Sequence, residues 1–227
     1  MKAGDLRFDH DFDLTKAKLD PSQMKELLVA LKDNTFIKYL RLDGNRINKD
    51  NAKQLTESLS DNKKMERLYL ANTQIKIVWL QDWLRSSCSI HHLNLSNNQL
   101  GNDGATRMAK VLESNTKIRA LYLDDNGIGH GGAEALANAI KANSRSTIAH
   151  LNLSHNKIGD VGATRMANML RSNTKIIRLI LSNNDIGNPA GAEALAYVLH
   201  AKYALHANIG SRVAQLPVEN NPITRQG

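Results

Sequence analysis

Residues Leu121 to Asn143 read LYLDDNGIGHGGAEALANAIKAN. The stretch opens with Leu121, Leu123, Asn126 and Ile128 in the frame L-x-L-x-x-N-x-I. Alternating leucines followed by a turn residue predict a short strand with one buried face. Gly129 and Gly132 are expected to bracket a tight turn. Ala133, Leu136, Ala137 and Ile140 then fall at i, i+3, i+4 and i+7, the apolar stripe of a helix that Asn143 closes. One strand and one helix in so short a span cannot cover both apolar faces. The unit needs a copy of itself on each side.

The copies are present. The frame recurs at Leu40, Leu42, Asn45, Ile47; at Leu93, Leu95, Asn98, Leu100; at Leu151, Leu153, Asn156, Ile158; and at Leu179, Leu181, Asn184, Ile186. Leu68, Leu70, Thr73 and Ile75 fit with Thr in the Asn place. Leu216, Val218, Asn221 and Ile223 fit near the C-terminus, and Phe12, Leu14, Ala17 and Leu19 form a degenerate first copy. Successive first residues are 28, 28, 25, 28, 30, 28 and 37 positions apart. A second half-motif, G-x-x-G-A-x-x-[ML]-A-x-x-[LI], reads Gly101, Gly104, Ala105, Met108, Ala109, Leu112 and again Gly159, Gly162, Ala163, Met166, Ala167, Leu170.

From Phe12 to Ile223 the chain resembles the leucine-rich repeat family, in its ribonuclease-inhibitor-like subtype. The resemblance implies an α/β horseshoe of about eight repeat units, a right-handed solenoid with parallel strands inside and helices outside. It implies one solenoid domain over residues 1–227: a degenerate N-terminal unit (1–39), regular repeats (40–199), then an insertion and a last strand (200–227). It also implies a structural ladder of Asn45, Thr73, Asn98, Asn126, Asn156, Asn184 and Asn221. An Asn side chain carries two donors and an acceptor on a short stem, enough to satisfy backbone groups where each coil leaves its strand. Thr73 can make only part of that set.

Three further readings concern irregular places. Asp20-Pro21-Ser22 predicts a helix start, followed by the buried stripe Met24, Leu27, Leu28, Leu31. The third unit lacks the Gly-Ala turn and carries Trp79, Leu80, Trp83 and Leu84 instead, expected as a shorter helix with bulky anchors. An exposed tryptophan docking site is the alternative. After Leu199 the period breaks, and Lys202 to Ser211 look like an insertion.

The chain has 227 residues, 4% aromatics and a formal charge of +8. The excess of bases forms no run in sequence, which suits a solvated surface with a bias toward acidic partners rather than nucleic acid. The single cysteine, Cys88, excludes an internal disulfide. No apolar leader or membrane-length stretch is seen, so an intracellular, cytoplasmic setting is expected. Secretion as an effector without a signal peptide is the other option.

Residues between the leucines alternate away from the core, toward a concave sheet face. The candidate partner-binding positions are Tyr39, Arg41, Asp43, Arg67, Tyr69, His92, Asn94, Tyr122, Asp124, His150, Asn152 and Arg178. Tyr and Arg are the types that most often anchor interfaces. No catalytic residue is expected. Cys88 belongs to a loop and His92 to the sheet face, and no histidine pair has metal-ligand spacing on a helix. The glycines recur as structural elements without a GK[ST] sequence, so no nucleotide, cofactor or metal is expected. The resulting expectation is a non-enzymatic module binding a protein partner, as a monomer or weak dimer. GTPase-activating proteins of the RanGAP group use the same repeat subtype and provide one alternative. A fragment of an immune receptor or a pathogen effector provides another.

Overall fold

A computed structural model describes residues 11–32, 34, 36–86, 89–187 and 189–206. Within them strands and helices strictly alternate. The strands are β1 (Asp11–Asp13), β2 (Tyr39–Arg41), β3 (Arg67–Tyr69), β4 (His92–Asn94), β5 (Ala120–Tyr122), β6 (His150–Asn152) and β7 (Arg178–Ile180). The helices are α1 (Pro21–Ala30), α2 (Lys49–Leu59), α3 (Ile77–Arg85), α4 (Gly101–Leu112), α5 (His130–Ala142), α6 (Gly159–Ser172) and α7 (Pro189–His206). All seven strands form one parallel sheet in sequence order, and each helix packs against its neighbours in sequence. This is an α/β solenoid.

The register is the one the leucine frame predicts. Phe12 stands opposite Leu40, Leu40 opposite Leu68, Leu68 opposite Leu93, Leu93 opposite Leu121, Leu121 opposite Leu151 and Leu151 opposite Leu179. The central leucines and the second leucines of β2 to β7 are at most 1% exposed. One continuous core joins them to the helix stripes, such as Ala133, Leu136, Ala137 and Ile140 of α5. Each such side chain contributes roughly 1.5–3 kcal/mol on burial.

The asparagine ladder holds successive coils together. Asn98 Nδ2 donates to Leu95 O of its own coil at 2.9 Å and to Leu70 O of the preceding coil at 2.8 Å. Its Oδ1 accepts from Thr73 N at 3.0 Å and Ile75 N at 3.3 Å. Asn126 does the same for Asn98 N and Leu100 N, and Asn156 for Asn126 N and Ile128 N. Asn45 and Asn184 complete the described ladder, while Asn221 lies outside the described residues. Thr73 Oγ1 donates to Leu70 O of its own coil at 2.8 Å and lies 3.2 Å from Asn98 Oδ1 of the next, but it makes no bond to the coil before, which substitutes a backbone bond from Ile47 N to Thr73 O.

A second ladder runs along the opposite edge, where each helix hands over to the next strand. Asn62 Nδ2 donates to Asn34 O and Ile37 O of the coil before, and its Oδ1 accepts from Lys64 N and Met65 N. Asn115 and Asn143 repeat the reach backward, to Leu84 O and Leu112 O. Ser89 Oγ donates to Met65 O at 2.6 Å, the link made at this edge by the third unit.

One expectation needs correction. Gly129 and Gly132 do not bracket a turn: Gly129 caps α5 and Gly132 lies inside it. The turn falls earlier, with Asp125 at φ 55° and Gly127 at φ 66°. Gly132 is needed for close approach, because a Cβ there would meet Ala105 Cβ at 2.8 Å. The first residues of the expected insertion are helical, since α7 continues through Lys202 to His206. The remainder of that insertion and the strand at Leu216 lie outside the described residues.

The other local readings hold. Asp20 accepts from Ser22 N and Gln23 N while Gln23 Oε1 accepts from Asp20 N, a capping box. Helix α3 is the shortest at nine residues, with Ile77, Leu80 and Leu84 buried and Trp79 and Trp83 partly buried against the core. Among the described residues no helix is long and apolar enough to cross a membrane.

Two substitutions check this account. Asn126→Ala is expected to destabilise by about 1–3 kcal/mol, since four backbone groups on two coils lose a partner. A urea midpoint equal to the parent's counts against the ladder. Leu153→Ala is expected to cost about 2–5 kcal/mol through the cavity it opens, and a neutral result contradicts its place in the core.

Candidate concave-face site

Every strand presents its first and third residues away from the core. In β2 these are Tyr39 and Arg41, both half-buried around a fully buried Leu40. Parallel, in-register strands turn each repeat position into a column, so side chains on neighbouring strands stand about 4.8 Å apart.

The N-terminal half of the face is a connected cluster. The guanidinium of Arg41 lies 4.3 Å from the Tyr69 ring centroid. Tyr69 packs on His92 at 5.1 Å, and His92 packs on Tyr122 at 4.8 Å. Four strands thus carry one continuous stack, Arg41–Tyr69–His92–Tyr122. Beside it Arg67 covers the Tyr39 ring at 4.7 Å, and the neighbouring Tyr69 raises its pKa. Arg41 Nε is also held by the Asp11 carboxylate at 3.2 Å. Guanidinium-on-ring contacts and tilted ring pairs of this kind each add roughly 0.5–1.5 kcal/mol beyond burial.

The remaining polar positions bond within the sheet. Asp43 accepts from Ala71 N at 2.6 Å, and burial pushes its carboxyl above the usual range against that hydrogen bond. Asp124 accepts from Asn152 Nδ2 at 2.8 Å and lies 2.7 Å from Ser96 Oγ. Asn94 Oδ1 takes Ser96 N, and Asn152 Oδ1 takes Ser154 N. Arg178 and His150 are exposed at the C-terminal end. Arg178 stands four strands from Arg67, about 19 Å away at the sheet spacing, so the structure does not gather it with the tyrosines. Ala120, 9% exposed, leaves a gap between them.

His155 has a structural duty that sequence reasoning missed. It adopts φ 54°, like Asn72, Asn97, Asp125 and Asn183 at the same repeat position just before the ladder residue. Asn, Asp and His tolerate this left-handed backbone better than most residues, and that recurring choice of types is the signal. Cys88 lies outside the described residues. Among the described residues no group of three His, Cys, Asp or Glu is placed to hold a metal ion.

A family model described as "Leucine Rich repeat" matches residues 86–109, 114–137, 146–167 and 172–196. Over these four segments the chain carries leucine-rich repeats. The strand register extends the repeats to β1, β2 and β3, N-terminal of the matched segments. No curated protein matches the chain. Among solved structures it is similar to "Leiomodin-1 Actin-Binding Site 2 (ABS2)", with a TM-score of 0.51 and 19% identity over 83% of this chain and 94% of that one. It is also aligned with the tropomodulin C-terminal domain of Caenorhabditis elegans, with a TM-score of 0.48 and 12% identity over 83% and 99%. At such identities the first likeness speaks for the shared fold alone.

His92 gives this leucine-rich repeat face a pH signature. Burial first, then the charges of Arg67, Arg41 and His150, lower its pKa from 6.5 to about 4. The folded protein therefore holds the neutral ring where the unfolded chain takes up a proton. Its contribution to stability is present above pH 6.5 and is lost as pH falls toward 4. An NMR titration is expected to place the His92 midpoint near 4. His92→Phe is expected to flatten the loss of stability over that window, and a midpoint near 6.5 contradicts the stacked placement.

Proposed function

We propose that this leucine-rich repeat protein is a non-enzymatic interaction module that binds a protein partner on the N-terminal half of its concave face. The observation that carries the reading is the half-exposed stack Arg41–Tyr69–His92–Tyr122 with Arg67 on Tyr39. These side chains are held by one another before any partner arrives. Pre-ordered Tyr and Arg lose little conformational entropy on binding, which favours affinity. Units of 25 to 30 residues, each with a helix, suit the ribonuclease-inhibitor-like subtype. The single cysteine suits a reducing, cytoplasmic setting.

The test is an affinity capture followed by mass spectrometry. Tyr69→Ala with Tyr122→Ala is expected to lose the proteins that the parent retains. Both rings pack on His92, so the melting temperature is expected to fall as well, by roughly 2–4 °C per kcal/mol of lost stacking. A cooperative transition shows that the variant is folded. Truncating Arg107, Lys110 and Arg171 on the helices is expected to leave capture intact. Loss of capture only in that helix variant moves the site to the convex face. Accelerated GTP hydrolysis with a panel of small GTPases overturns the non-enzymatic reading.

A further inference from the structure

The basic excess, dispersed in sequence, is gathered in space. Six cations stand where the strands begin: Lys64, Arg67, Lys117, Arg119, Lys175 and Arg178. All six are exposed, and none forms an ion pair among the described residues. Of the acids on this edge, Glu66 is already 3.8 Å from Lys38 and Asp11 is held by Arg41, while Asp61 and Glu113 stand farther back, at the helix ends before β3 and β5. The six come in three pairs at β3, β5 and β7, with His91, His92 and His150 on the coils between. Pairs on alternate strands are about 9.6 Å apart.

A structural reason for these cations is the negative end of each helix, which points to the same edge. That effect fades within the last turn. Arg85, Lys110, Lys141 and Arg171 already occupy those turns. The six lie beyond the caps, so the dipoles do not account for them. His91 and His92 register the local field. Each has a pKa lowered first by burial and next by a neighbouring cation, Arg119 for His91 and Arg67 for His92.

We propose that this strand-start edge is the docking strip for an extended, carboxylate-rich segment of a partner protein. The proposal rests on the reading of the concave face as a protein-binding surface and names the chemistry of what binds there. Three residues of extended chain span about 10 Å, close to the spacing of the cation pairs, so one acidic strand can meet all three. Nucleic acid fits less well. The Tyr69 and His92 rings are engaged on both sides, by Arg41, Tyr122 and each other, which removes them as platforms for base stacking. A duplex would also reach the opposite edge, about four residues or 13 Å away, where Asp43, Asp124, Asp125 and Asp185 would meet its phosphates.

The experiment is a fluorescence anisotropy titration of the full chain with labelled octaglutamate, which reaches about 26 Å when extended. Binding that weakens with added salt is expected. Arg67→Glu, Arg119→Glu and Arg178→Glu together are expected to raise Kd by about tenfold or more. Reversal of Lys25, Lys110 and Lys141 on the helices, with the same change in net charge, is expected to change Kd by no more than about twofold. The milder triple to Gln at the strip repeats the loss if charge reversal disturbs folding. Equal losses from both triples, no binding of octaglutamate, or tighter binding of oligothymidylate each overturn the proposal. If the strip variants still capture the partner that Tyr69→Ala with Tyr122→Ala loses, the acidic-segment inference fails and the concave-face reading stands. If the tyrosine variant keeps its partner, the parent reading fails.

Discussion

Everything in this molecule depends on satisfying backbone groups that the solenoid buries at every turn. A chain leaving a strand at the edge of the core exposes N–H and C=O groups to a space without water. In this protein the side chain that meets them comes largely from the next coil. Asn126 belongs to β5's coil, yet its Oδ1 accepts from Asn98 N and Leu100 N of the coil before. Each coil is therefore incomplete until its successor is in place. That dependence sets the register as firmly as the leucines do, because a shift of one residue would remove both hydrogen bonds and core packing.

Two ladders, one at each end of the strands, make the constraint two-sided. Asn98, Asn126, Asn156 and Asn184 close the exit edge, and Asn34, Asn62, Asn115, Asn143 and Asn173 close the entry edge through bonds to their own following residues or to the coil before. Between these ties only three residues per coil are free to be strand. Coils that depart from the rule still supply a bond. Thr73 reaches its own coil and leaves Ile47 N to a backbone carbonyl, while Ser89 supplies a hydroxyl to Met65 O. The third unit also carries the shortest helix, with Trp79 and Trp83 against the core.

The L-x-L frame made strand order, register and the first ladder legible because each depends on residue type at a fixed period. The second ladder was harder to see. Asn143 caps α5, Asn34 and Asn115 follow the caps of α1 and α4 by two or three residues, and Asn near a helix end already has a local explanation. Only the distances to the preceding coil show the second role. The columns of the concave face were legible, but their connections were not. No spacing rule says that Tyr69, His92 and Tyr122 touch while Arg178 stands apart, because that depends on Ala120 and Asn94 lying between longer side chains.

The charge pattern shows the same gap between sequence and space, and its cause is geometric. In a parallel solenoid, residues about 28 positions apart become neighbours. The cations at the starts of β3, β5 and β7 make no run in sequence, yet stacking aligns them along one edge. Crowding like charges costs stability unless something offsets it. Across this sheet the aspartates gather at the strand exits, about 13 Å away, and several are engaged locally: Asp43 with Ala71 N, Asp124 with Asn152. They leave the entry edge uncompensated by ion pairs among the described residues apart from Lys38 with Glu66. An anionic partner on that edge would meet exposed cations that need give up no ion pair to receive it.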